Sequence, residues 1–503
     1  MNRREMLQGM GAAAALSLSK AGLASAPVGA NDKLTVGCIG VGSQGLRVLL
    51  DMLRMPEAQV IAVCDVNRGS SDYLDWGPNE LRDKVRQVLQ DPAWGASAPG
   101  PTAGREVAKE IVNSFYARES GKASYNGCHA YEDYRELLAK EKDLDAVIVS
   151  TPDHWHALIA IAAMRAGKHI YSQKPMAHSV WECREMARVA KETGRATQVS
   201  IFNSDSVASQ QVHDLLGSGV IGPVRSIDIW TKRASAFWKQ GLATPAKADP
   251  VPDGLNWDMW LGPAPMRPYS REYMPFVWRA WYDFGCGALG DMGEYGFDTI
   301  SRALRLQTAH RVEASTTDLY PECYPVASSV HFSFAATATR PELKLNWYDG
   351  GIEPQRPREL ADSTAMGTGG EGVIYTGDGG KVMTAFMGEN PRVLHADGKV
   401  SLPYGEPAQK EVPFQASRPE LGGSASGADV PHYIEWIRAC QGGPPARANY
   451  EYEAPIVETL LLGCIAVRTH EVLAWDAESF QFTNQPKRAS ALLKPQYRSP
   501  YET

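Results

Sequence analysis

The feature that most constrains this chain is a run of three spaced glycines, Gly40-Val41-Gly42-Ser43-Gln44-Gly45, set between an apolar stretch at 34–39 and a helix-like stretch at 46–54. A G-x-G-x-x-G is common on its own and takes its meaning from context. Here a second apolar run at 60–64 follows and ends in Asp65, twenty residues beyond Gly45. Strand, glycine turn, helix, strand and terminal acid describe the first βαβ unit of a dinucleotide-binding sheet. In such a unit Gly40 permits the tight turn, Gly42 lets the backbone approach a pyrophosphate and Gly45 allows close helix packing. Ser43 and Gln44 open the helix whose N-terminus faces the phosphates. A carboxylate at Asp65 accepts hydrogen bonds from the adenosine ribose and repels a 2′-phosphate. The expected cofactor is therefore NAD, with NADP disfavoured, and Arg68 is the one neighbour that would soften the choice.

From 34 to 200 the pattern keeps alternating short β-branched runs with amphipathic stretches, as a parallel α/β sheet requires. Strands are expected over 34–39, 60–64, 146–150 and 169–171, and helices over 46–54, 105–118, 131–140, 157–166 and 180–193. Residues 69–104 interrupt the alternation and read as an insertion with a helix at 80–90 and a Pro/Gly/Ser-rich surface loop. Beyond about 220 the texture changes to strands at 224–232, 311–317, 329–334 and 343–347, with Gly377-Asp378-Gly379-Gly380 as a hairpin turn. A Gly/Ser-rich loop at 422–427 precedes helices at 431–441 and 454–471 that close the structure. The expected architecture is α/β: a Rossmann domain over 31–205, then a C-terminal α+β domain over 206–503 built on a large, open-faced, mostly antiparallel sheet.

A length of 503 residues is too great for one ordinary core and fits two domains. A net charge of −7 without a long basic run argues against nucleic acid as a partner. The eight cysteines form no C-x-x-C pair and no Cys/His cluster, so mostly buried thiols and no metal site are expected.

The N-terminus carries Asn2-Arg3-Arg4-Glu5-Met6-Leu7, a short apolar run from 9 to 19 and Lys20. That order reads as a twin-arginine signal peptide over 1–30, cut after Val28-Gly29-Ala30, and predicts a periplasmic protein exported in folded form with no membrane contact once the signal is removed. The apolar run is too short to span a bilayer.

Two further motifs stand at strand ends: Ser150-Thr151-Pro152-Asp153-His154-Trp155-His156 and Gln173-Lys174-Pro175. With the glycine turn they resemble the Gfo/Idh/MocA family of sugar and polyol oxidoreductases, and the likeness covers essentially the whole chain after the signal. In that family the second motif is usually E-K-P, with its lysine between the nicotinamide and the hydroxyl being oxidised. The resemblance implies that role for Lys174, beside a neutral Gln173. The family's later D-x-x-x-H is matched here by Asp291-Met292-Gly293-Glu294-Tyr295, one helical turn apart but with tyrosine second. In this, and in its twin-arginine start, the chain is similar to the exported branch represented by glucose-fructose oxidoreductase, which prefers NADP. The implied catalytic set is Lys174, Asp291 and Tyr295, with Thr151, Pro152, His156 and Gln173 at the cofactor.

The stretch from Trp257 to Trp281 is dense in tryptophan and tyrosine with arginines between, a surface suited to sugar C–H faces. Arg279 and Trp281 are the preferred substrate contacts, with Asn203 after the last Rossmann strand. The expected reaction is hydride transfer between a carbohydrate secondary alcohol and NAD. Two alternatives stay open, a redox-neutral NAD-dependent glycosidase or lyase and a non-catalytic NAD-binding protein. A homo-oligomer joined through the C-terminal sheet is expected.

Overall fold

The computed structural model describes residues 33–75, 77–233, 238–245, 247–405 and 431–501. The expected signal peptide and the 422–427 loop lie outside the described residues. Six parallel strands, β1 (Leu34–Ile39), β2 (Ala58–Cys64), β3 (His129–Tyr131), β4 (Ala146–Val149), β5 (His169–Ser172) and β6 (Thr197–Val199), lie in the order β3-β2-β1-β4-β5-β6. Their apolar runs are nearly continuous because helices cover both faces: Val36, Val60, Val147 and Ile170 are all fully buried. The winding direction reverses between β1 and β4, which opens a crevice at their carboxyl ends. There Ser150 N–H donates to Ile39 O at 2.8 Å, so the glycine turn and the Ser150-Thr151-Pro152 segment are clamped side by side.

β3 and β6 were not expected, since three residues carry too little alternation to show. The helix expected over 131–140 begins at Tyr134, because Asp133 caps it by accepting the Arg135 N–H at 2.8 Å and leaves Tyr131 to the sheet.

The second sheet has ten strands: β7 (Val224–Trp230), β8 (Arg311–Thr316), β9 (Ser328–Phe334), β10 (Leu343–Tyr348), β11 (Gly372–Gly377), β12 (Gly380–Thr384), β13 (Arg392–His395), β14 (Val400–Ser401), β15 (Leu473–Asp476) and β16 (Gln481–Phe482). Their order is β14-β13-β12-β11-β7-β10-β9-β8-β15-β16, and only the β7–β10 pairing is parallel. Asp378 and Gly379 make the two-residue turn between β11 and β12. The inner face, including Ile229, Phe332 and Leu345, packs on the helices Gly287–Leu304 and Tyr450–Thr469. Half of the outer face is covered: Leu360 and Met366 lie on Trp230, Ile374, Met383 and Leu394. The other half is polar, with Asn346 bridging His331 and Asp228 at 2.8 Å on each side.

The helix expected at 431–441 does not join the sheet domain. Over Pro431–Cys440 it returns to the Rossmann side, where Trp436 packs edge-on to Tyr171 and Gln198 Nε2 donates to His432 O at 2.7 Å.

Candidate active site

A cavity of about 790 Å³ runs from the helix after the glycine turn, across the carboxyl ends of β1, β4 and β5, to the loops before the Gly287–Leu304 helix. Its dinucleotide-like half is mostly main chain. Gly40 has φ +82°, and a Cβ there would sit 2.6 Å from the Ser150 carbonyl carbon. A Cβ on Gly45 would sit 1.9 Å from Gly40 O, so only glycine lets the helix start this close to the turn. Asp65 follows β2 and uses both oxygens, taking Val41 N–H at 2.7 Å on Oδ2 and Asn67 N–H at 2.8 Å on Oδ1. Burial lifts its pKa to about 6, opposed by those two N–H donors and the Arg105 charge. Arg68, the neighbour that would have softened the ribose preference, is exposed and absent from the cavity wall.

Among the described residues several buried polar atoms on this wall lack partners: Gln173 Nε2, Thr151 Oγ1 and Ser150 Oγ. Buried polar groups are normally paired. Orphans converging on the mouth of β4 and β5 fit a polar ligand such as the ribose and carboxamide of a dinucleotide, and the glycine turn fits its diphosphate. Gly40, Gly42, Ser43, Gln44, Gly45, Asp65, Thr151, Pro152 and Gln173 all line the cavity.

The other half centres on Asp291, whose Oδ1 lies 2.7 Å from Lys174 Nζ and 3.1 Å from Arg279 Nε. Lys174 Nζ also donates to the main-chain oxygen of Asp291 at 2.6 Å. Burial opposes ionisation of Asp291, but the two cations together hold its carboxyl below the usual range. Asp291 is shared by both cations, and the buried acid Asp153, its carboxyl pushed up to about 7 by burial and by Asp291, lies within electrostatic reach of the same cluster. Lys174 Nζ is 5.1 Å from the Tyr295 ring centroid, one helical turn past Asp291, and the Tyr295 hydroxyl has no hydrogen bond among the described residues. The Arg279 guanidinium carbon lies over the rings of Trp278 and Phe276, 4.2 and 4.4 Å from their centroids. Lys174, Arg279, Asp291 and Tyr295 thus meet on one wall, Asp291 and Tyr295 as their one-turn spacing implied.

Three expected contacts are elsewhere. His156 is fully buried behind the wall, with Nδ1 2.7 Å from Pro175 O and Nε2 2.9 Å from Thr151 O, so it ties the two strand-end segments together rather than facing a ligand. Trp281 is also fully buried: the 3₁₀ turn Val277–Ala280 ends just before it, and its indole turns inward to donate to Glu272 O at 2.8 Å. Asn203 spends its amide on Tyr295 O and Thr299 Oγ1, at 2.9 and 3.0 Å, and so fixes the helix that carries the cluster.

Two residues at the site, Glu294 and Trp238, are not among those the motifs single out. Glu294 is fully buried; its Oε2 accepts the Met176 N–H at 3.2 Å and steadies the segment after Lys174, while burial raises its pKa. Asp291, Glu294 and Asp298 recur along one helix at spacings of three and four, which places them on one face and was a usable signal for Glu294. Trp278 and Trp238 line the cavity, but most of the aromatic stretch is core, with Trp257 stacked on Trp260 at 4.9 Å.

The family model for the oxidoreductase family's NAD-binding Rossmann fold matches residues 105–201, and the model for its C-terminal alpha/beta domain matches 206–332. The chain belongs to the Gfo/Idh/MocA oxidoreductase family. It is 29% identical to a glycosyl hydrolase family 109 protein of Solibacter usitatus over 205 residues, which are 39% of this chain and 37% of that protein. It is 31% identical to a 1,5-anhydro-D-fructose reductase of Ensifer adhaerens over 129 residues, 26% of this chain and 38% of the relative. These matches span less than two-fifths of the relatives' own length. The WlbA dehydrogenase of Bordetella pertussis, solved with NADH and UDP-GlcNAcA, has a similar fold across 88% of this chain and 98% of its own, at 14% identity and a TM-score of 0.52. Within the Gfo/Idh/MocA frame, Tyr295 and Gln173 stand where the usual family motifs have histidine and glutamate.

Proposed function

We propose that this chain is an exported, NAD-dependent oxidoreductase that moves hydride between a secondary alcohol of a carbohydrate or polyol and a tightly held dinucleotide. The observation that carries the reading is Lys174 Nζ, fixed by Asp291 at the meeting point of the glycine-turn half and the aromatic half of one cavity. Gly40, Gly42, Gly45, Asp65, Thr151 and Gln173 would hold the dinucleotide, which when bound supplies a hydride acceptor and donor.

Lys174 and Tyr295 then flank the reacting hydroxyl. The ammonium stabilises the negative charge that develops on the alcohol oxygen as its proton leaves; the Tyr295 oxygen would take that proton as a phenolate in the oxidation and, as the phenol so formed, give it back in the reduction. Asp291 holds Lys174 in place and, being shared with Arg279, does not cancel its charge. Trp278, Phe276 and Trp238 exclude water and offer flat apolar faces to a sugar. Export by the twin-arginine route, which delivers a protein already folded around its cofactor, and self-association through the polar half of the outer sheet face complete the proposal.

A second reading, a redox-neutral glycosidase or lyase that oxidises, eliminates and reduces again, is favoured by the likeness to a glycosyl hydrolase family 109 protein. A screen of free sugars and glycosides on purified protein, following nicotinamide absorbance and released products together, separates the two. Net reduction of NAD supports the dehydrogenase, released product without net reduction supports the closed cycle, and neither with any carbohydrate overturns both.

A further inference from the structure

The insertion at 69–104 is more than a surface loop. Ser70 and Ala103 exchange two backbone hydrogen bonds of 3.0 Å, so the chain between them leaves and re-enters the fold at one point. Its helix, Glu80–Leu89, buries Leu81, Val85 and Val88 in the same core as the helix Ser43–Leu53 that follows the glycine turn. Lys84 Nζ lies 2.7 Å from Asp51 Oδ1 across that contact, and Arg47 is ion-paired with Asp75.

This docking brings Tyr73 to the dinucleotide half of the cavity. The ring lies over the second fingerprint glycine: a Cβ on Gly42 would be 3.0 Å from Tyr73 Cε1. The Tyr73 hydroxyl accepts from Asn67 Nδ2 at 3.2 Å, Asn67 N–H donates to Asp65 Oδ1, and Asp65 Oδ2 accepts the Val41 N–H. One hydrogen-bonded chain therefore joins the insertion, the ribose-binding acid and the glycine turn. Tyr73 uses its hydroxyl only as an acceptor among the described residues, so its own proton remains available. Burial and the neighbouring Asp65 charge push its pKa well up and keep that proton on.

We propose that the insertion is a clasp over the dinucleotide groove, and that Tyr73 is a cofactor-binding residue that donates its hydroxyl to the phosphate–ribose stretch of NAD and sets the rate of its release. The clasp rests on the reading that the groove takes NAD. Tyr73, Pro78 and Lys84 carry the insertion onto the wall of the dinucleotide half, where a bound cofactor would have to pass them to leave.

The test is a chase. Protein loaded with NADH is mixed with excess NAD, and loss of bound nicotinamide fluorescence gives the release rate. Tyr73→Ala is expected to release about tenfold faster or more, as loss of a buried hydrogen bond and its ring contact should appear in the off-rate. Tyr73→Phe should fall between it and the unmodified protein. Hydrogen exchange supplies a second readout that needs no variant: NADH should slow exchange of backbone amides over 71–89. Equal release rates for the unmodified protein and either folded variant, or exchange over 71–89 unchanged by NADH, would overturn the clasp. Those outcomes leave NAD binding itself intact, whereas an unmodified protein that binds no NADH removes the functional reading and the clasp with it.

Discussion

The two halves of the cavity are built on different principles. The dinucleotide half is made largely of main chain from one short stretch, with glycines whose Cβ positions are already filled by backbone and an acid held by two N–H groups. The substrate half is made of side chains brought from far apart: Lys174 and Asp291 are separated by 117 residues, and a single buried carboxylate carries two cations. Geometry protects the first half against most substitutions except those that add atoms. Charge balance governs the second, where removing one partner leaves others buried and unpaired. Chemistry should therefore fail sharply on one side of the cavity while cofactor affinity survives.

The largest expected effect is on hydride transfer. Lys174→Ala should slow it by about 10²–10³-fold, the range for losing one group that stabilises charge developing on oxygen, with the NAD dissociation constant changed far less. A parallel loss of NAD affinity, measured by titration calorimetry, would break the division between the halves. Next is stability: Asp291→Ala strands Lys174 and Arg279 in a site where both side chains are mostly buried, and should cost about 3–5 kcal/mol in denaturant unfolding. A much smaller loss would mean that water already screens the cluster.

Within the dinucleotide half, Asp65→Ser should narrow the preference for NAD over NADP. The same narrowing should appear in the unmodified protein on acidification. Asp65 has its pKa raised to about 6, so its charge, and with it the repulsion of a 2′-phosphate, is present above that pH and fades below it. Binding titrations of both nucleotides at pH 5 and pH 8 check the sign, and a preference that grows in acid would contradict it. The smallest effect on activity belongs to Trp281→Phe, which removes the indole donor to Glu272 O and part of a fully buried ring: kcat/KM should stay near the original value while the melting temperature falls. A large rise in KM would return Trp281 to the substrate.

This contrast also explains what the sequence disclosed. The glycine turn, β1, the helix Val180–Thr193 and the β11–β12 turn were legible because each is a local pattern with a local physical cause. That Lys174, Asp291 and Tyr295 share one wall follows from a strand-end position and a one-turn spacing on a helix, whereas the roles proposed for them come from the family resemblance. His156 and Trp281 misled because motif proximity says nothing of which way a side chain turns. His156 sits in the first turn of the helix Asp153–Arg165 and points back at two carbonyls, and Trp281 follows a 3₁₀ turn whose end no sequence signal marked. The return of the helix Pro431–Cys440 to the Rossmann side depends on packing across more than 200 residues of chain, as in the Gln198–His432 bond, and was equally invisible.

The central claim is that Lys174, held by Asp291, presides over hydride transfer at a groove that binds NAD without it. A single-turnover experiment on NAD-loaded protein tests this directly: mix with a carbohydrate found active in the screen and follow reduced nicotinamide on the first turnover, in the unmodified protein and in Lys174→Ala. The account predicts formation of reduced nicotinamide in the unmodified protein, transient if the cycle is closed, and almost none in the variant despite equal NAD occupancy. Reduction at an unchanged rate in Lys174→Ala, or conversion of the carbohydrate by the unmodified protein without any reduced nicotinamide, would contradict it.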